Sequence, residues 1–84
     1  MNAADRKQVS ELVSKLEDLN SQFEEIKSDI QSLAEAEQEK FDNMSEGLQA
    51  GEKGQQIEAA AGSLDEAANA ESPQEVIDAL GNIE

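Results

Sequence analysis

Large apolar residues recur near the start of the chain at alternating steps of three and four: Val9, Leu12, Leu16, Leu19, Phe23, Ile26, Ile30 and Leu33. Val9, Leu16, Phe23 and Ile30 share one heptad position, and Leu12, Leu19, Ile26 and Leu33 share the other. Such a pattern places all eight on one face of a helix and is the mark of a coiled-coil seam. The frame continues to Glu37 and Lys40, so the seam closes near residue 36. Asn2, with Asp5 three residues on, supplies an N-cap. No Gly or Pro interrupts the run through Gln38, and Glu11 with Lys15 forms a favourably oriented pair four residues apart. The spacing predicts one helix over residues 3 to about 43.

The pattern breaks between Asp42 and Gly54. Gly47, Gly51 and Gly54 each weaken a helix by ~1 kcal/mol relative to Ala, which makes residues 44–54 a Gly-containing turn with room for one helical turn around Leu48. A second helix is expected over 55–70, where Ile57, Ala60, Ala61, Leu64, Ala67 and Ala68 give a narrow face of small residues that admits another helix closely. Ser72-Pro73-Gln74-Glu75 then reads as a capping box: Ser72 accepts from the amide of Glu75, Pro73 sits where no donor is needed, and Glu75 reaches back. A third helix is expected over 73–80, carried by Val76, Ile77 and Leu80. Gly81 fits a left-handed stop, with Ile83 making the contact that accompanies one.

The expected fold class is therefore all-α, one helical domain of residues 1–84. A long coiled-coil-like helix is followed by two shorter helices that form a hairpin or cap on one of its ends. The seam is roughly 36 Å long, and the stripe from Ile57 to Ala68 spans about half of that. Folding back leaves much of the seam wet, so an oligomer is expected, with a homodimer favoured. The mixture of Val, Leu, Phe and Ile, without a buried Asn, leaves orientation and copy number open.

Charge narrows the choice of partner. The chain carries 20 acids and 6 bases, a net charge of −14. Residues 1–27 hold 6 acids and 4 bases (net −2), residues 28–84 hold 14 acids and 2 bases (net −12), and no base follows Lys53. Direct contact with nucleic acid or an anionic membrane is disfavoured, and a basic protein partner, including a nucleic-acid-binding one, is favoured. No apolar leader follows Met1, and no run approaches the roughly 18 apolar residues of a membrane span. A cytoplasmic protein is expected.

Candidate chemistry is sparse. With neither Cys nor His in the 84 residues, disulfides, thiolate and imidazole metal ligation and the familiar nucleophile arrangements are excluded. The segment Asp42 to Gly47 imitates the start of a calcium loop, but Met44 and Lys53 fall where acidic ligands are needed. The glycines at 47, 51 and 54 lack the strand and the Lys-Ser/Thr ending of a phosphate loop. Carboxylates on exposed helical positions lack the water-poor pocket that acid-base work requires. No enzyme activity, cofactor, metal or small-molecule substrate is expected.

The acids themselves admit two readings. Glu11, Asp18, Glu25, Glu39 and Glu46 share one heptad position, with Glu17 and Glu24 beside them, as on a solvated coiled-coil face. Alternatively, Glu35, Glu37, Glu39, Asp42, Glu46, Asp65 and Glu66 could stand in for phosphates on a basic groove, although ~10 Å per heptad is sparser than the charge of a duplex. Phe41, Met44 and Leu48 form a candidate apolar contact, either packing on the second helix or meeting a partner. A tail from about residue 43 that orders only on binding is a further alternative, against which the Ser72 capping box speaks.

The tract Glu39-Lys40-Phe41-Asp42-Asn43-Met44-Ser45-Glu46-Gly47-Leu48-Gln49, followed by the acidic, Ala-rich segment 58–70, resembles a tract in small uncharacterised acidic helical proteins of bacteria and their phages, over residues 35–70. The resemblance implies no activity and supplies no site residues. What it implies is a phage or prophage accessory role, in which small acidic proteins occupy a host protein's nucleic-acid-binding surface. The expected function is a non-enzymatic acidic interaction module: an inhibitor by nucleic-acid mimicry or, alternatively, a structural coiled-coil adaptor that binds through its apolar seam.

Overall fold

The computed structural model describes residues 1–81. It is 88% helical, with helices α1 (Ala3–Asp42), α2 (Glu46–Ala50), α3 (Glu52–Ala68) and α4 (Pro73–Gly81) and no strand among the described residues. Asn2 caps α1 through its side-chain oxygen, which accepts from the Asp5 amide at 2.8 Å. The helix then runs for 40 residues, about 60 Å at 1.5 Å per residue. It closes where the Asn43 amide donates to the Glu39 carbonyl at 3.0 Å.

The chain turns back through a corner that is more helical than the three glycines suggested. Ser45 caps α2 by accepting from the Leu48 amide at 3.4 Å. Gly51, extended at φ −76° and ψ 171°, separates α2 from α3. Gly54 is buried inside the first turn of α3, so α3 starts three residues before the expected 55. Glycine is required at this position: a Cβ on Gly54 would overlap the Leu48 carbonyl and stand 2.6 Å from the Gln49 carbonyl. Two amide side chains tie the corner, with Gln49 donating to the Phe41 carbonyl at 2.8 Å and Gln55 to the Gln49 carbonyl at 2.9 Å.

Helix α3 returns antiparallel along the C-terminal half of α1, and α4 packs on α3. The core is small and rich in alanine. Ile30, Leu64 and Val76 are buried among Ala34, Ala67, Ala70 and Ala79, with Phe23 and Ala68 partly buried against them. Such short side chains let the helices approach closely, and the molecule is slim, 69 × 18 × 13 Å. Its radius of gyration, 19.0 Å, exceeds the ~12 Å of a compact domain of this length, because α1 projects beyond the hairpin. Every residue from Met1 to Gln22 is exposed.

Local expectations are met unevenly. Ser72 accepts from the Glu75 amide at 3.3 Å, but the Glu75 carboxylate reaches the Glu71 amide at 2.7 Å, one residue further back than a capping box predicts. Gly81 does not adopt the expected left-handed stop: no glycine among the described residues has positive φ, and Gly81 is the last residue of α4. Ile83 lies outside the described residues. The ion pairs present among the described residues join Lys27 to Glu24 and Lys40 to Glu37, and the expected Glu11 and Lys15 pair is not one of them.

Candidate docking surface

The hairpin does not sit on the seam as the heptad frames it. Residues of α1 that lose exposure are Phe23, Lys27, Ile30, Gln31, Ala34, Glu37 and Phe41, which apart from Gln31 again run in steps of four and three but use a different pair of positions. Phe23 and Ile30 belong to the seam, whereas Lys27, Ala34 and Phe41 flank it. The hairpin therefore covers one edge of the seam and leaves the other edge bare. Ile30 is 6% exposed while Leu33, one turn on, is 57% exposed. Ile26 is likewise exposed. Lys27 adapts to its position by laying its ammonium 5.0 Å from the centroid of the Phe23 ring while pairing with Glu24 at 3.7 Å.

In the projecting half of α1 the seam has no cover at all. Val9, Leu12, Leu16 and Leu19 are exposed, Leu16 at 64%. Val13, which the heptad reading passed over, broadens the stripe. With Ile26 and Leu33 these residues line one side of α1 from the free end down the flank of the hairpin, densely up to Leu19 and at one residue per heptad beyond it. Where the two regions meet, Leu16, Leu19 and Phe23 form a shallow groove with Ala70, Ser72 and Pro73 from the α3–α4 junction.

Charge is ordered around this stripe. The positions that flank the seam between Arg6 and Ser28 are Arg6, Gln8, Val13, Lys15, Asn20, Gln22 and Lys27; none is acidic. The acids of this stretch, Glu11, Glu17, Asp18, Glu24 and Glu25, occupy the outer positions. Over this stretch the apolar strip is edged by amides, cations and Val13, and Asp29 is the first acid on its edge.

The seven acids of the candidate phosphate-mimicking surface do not converge. Glu35 and Asp65 border one groove between α1 and α3, with Glu58. Glu66 borders another on the α4 side, with Glu75 and Asp78. Glu37 is half-buried and held by Lys40 at 2.7 Å. Asp42 accepts from Gln38 at 3.0 Å, Glu39 is exposed on α1, and Glu46 lies in the first turn of α2. Of the apolar candidates, Phe41 and Met44 are half-buried in the corner and Leu48 is exposed. No group of acids among the described residues is arranged to hold a metal ion, and no helix among them is long and apolar enough to cross a membrane. Comparison with protein-family models, curated proteins and solved structures finds no match.

Proposed function

We propose that this chain is a non-enzymatic helical interaction module whose working surface is the apolar stripe of α1, a structural adaptor rather than a catalyst. The observation that carries this reading is the exposure of six seam residues, Val9, Leu12, Leu16, Leu19, Ile26 and Leu33, in a molecule already folded. Full burial of each such side chain is worth ~1.5–3 kcal/mol, so covering the half of each that is still wet contributes roughly 5–9 kcal/mol. That is comparable with the total stability of a small domain. An exposed apolar run as dense as that from Val9 to Leu19 is the kind that marks a docking site. The test is a photo-reactive side chain at Leu16 or Leu19, compared with one at Glu25 on the outer face, irradiated in the native host. Adducts confined to the stripe are expected; adducts equal at both faces, or none at the stripe, would reject the reading.

A second reading, inhibition of a basic nucleic-acid-binding protein by mimicry, draws on the −12 balance of residues 28–84 and on the groove that Glu35, Glu58 and Asp65 border with no basic side chain in its lining. It ranks second because the candidate acids are dispersed over several faces. Binding to a polycationic probe that weakens steeply with added salt, and is lost on Glu35→Gln with Asp65→Asn, supports it; salt-independent binding counts against it.

A further inference from the structure

We infer that the occupant of the stripe is a second copy of this chain, docked antiparallel along α1 so that the projecting half of each copy covers the bare flank of the other's hairpin. The inference rests on the reading of the stripe as a docking surface and goes further by naming what fills it. Geometry supplies the first argument. Antiparallel pairing of two heptad seams sets the first core position of one helix against the second of the other. Over the whole seam one register satisfies this throughout: Val9 faces Leu33, Leu12 faces Ile30, Leu16 faces Ile26, and Leu19 faces Phe23. Six of these eight, Val9, Leu12, Leu16, Leu19, Ile26 and Leu33, are exposed, while Phe23 is half-buried and Ile30 is buried under the hairpin, so each copy's uncovered end meets the bare flank of the other at Ile26 and Leu33.

Charge supplies the second argument. In the same register the flanking position of Lys15 meets Asp29 of the other copy, twice by symmetry, while Gln22 meets its own equivalent and so does Asn20. No like-charged pair arises along the rim. The wider distribution of charge gives the direction. Residues 28–84 carry a net charge of −12 and residues 1–27 only −2. A parallel dimer sets the two −12 regions side by side. The antiparallel register moves the hairpins 22 positions apart along α1, about 33 Å, several times the ~8 Å screening length at physiological salt. It also brings Arg6 to the flank on which the other copy's acidic hairpin sits.

The chain has no cysteine, so single labels can be placed cleanly on its outer face. Sedimentation across a concentration range is combined with spin-label distances in Ser10→Cys and Ser21→Cys, both exposed sites off the stripe. The expected result is a dimer in which the two labels at position 21 have no offset along the rod, whereas the two at position 10 are offset by about 33 Å. Equal separations at the two sites mean a parallel dimer and overturn the proposal. A chain that stays monomeric also overturns it, whereas stripe adducts to a different protein in the photo-crosslinking experiment would leave the docking reading standing. A charge exchange tests the register itself: Lys15→Glu weakens dimerisation roughly 3- to 10-fold, and adding Asp29→Lys restores it. Absence of that rescue rejects the register.

Discussion

Gly54 shows how one residue's identity is set by backbone that lies outside its own helix. Its burial against the Leu48 and Gln49 backbone leaves no room for a methyl group, and the neighbours are carbonyls rather than flexible side chains. Gly54→Ala is expected to cost about 1–3 kcal/mol through overpacking, measured by chemical denaturation. Gly62, with nothing within 4 Å of its would-be Cβ, is the opposite case. There Ala stabilises α3 by ~1 kcal/mol by raising helix propensity, and a drop in stability would show that the helix is not in place. The caps at Asn2 and Ser72 were legible in the sequence because each depends on a partner three residues away. The need for glycine at 54, and the reach of Gln49 across the corner to Phe41, were not legible, since both depend on how α2 meets α3.

Element by element, the two halves of α1 have different destinies. The seam was readable because a heptad period survives any tertiary context. Which edge of it the hairpin would take was not, because Ala34 does not stand out as an anchor among the large apolar residues of α1, although the small face of α3 with Ala61 and Ala67 was readable. Ile30 and Leu16 share a heptad position yet are 6% and 64% exposed, so the same substitution separates folding from docking. Ile30→Ala is expected to lower the stability of the fold by about 2–5 kcal/mol. Leu16→Ala should change intrinsic stability by no more than ~0.5 kcal/mol while weakening association markedly. Denaturation at several protein concentrations distinguishes the two: the Ile30 variant is destabilised at all of them, the Leu16 variant only where the partner contact contributes.

At the scale of the whole molecule, a chain of net charge −14 associates with its like only against long-range repulsion, which dissolved salt screens. Self-association is therefore expected to strengthen as sodium chloride rises toward physiological levels, the opposite of the trend for an acidic mimic on a basic groove; sedimentation at two ionic strengths decides between them. The all-helical class, the long leading helix and the elongated cap were legible from the period and the charge. The distribution of the candidate acids over separate grooves was not, because it depends on which faces α3 and α4 turn outward. The projecting half of α1 has one more consequence. About twenty residues of helix with few tertiary contacts draw little stability from packing, so this end is expected to fray when nothing lies against it and to gain helicity on contact. The circular dichroism of dilute and concentrated samples should differ by the helicity of residues 3–22, which makes the coil-to-helix change itself a gauge of how many stripes are occupied.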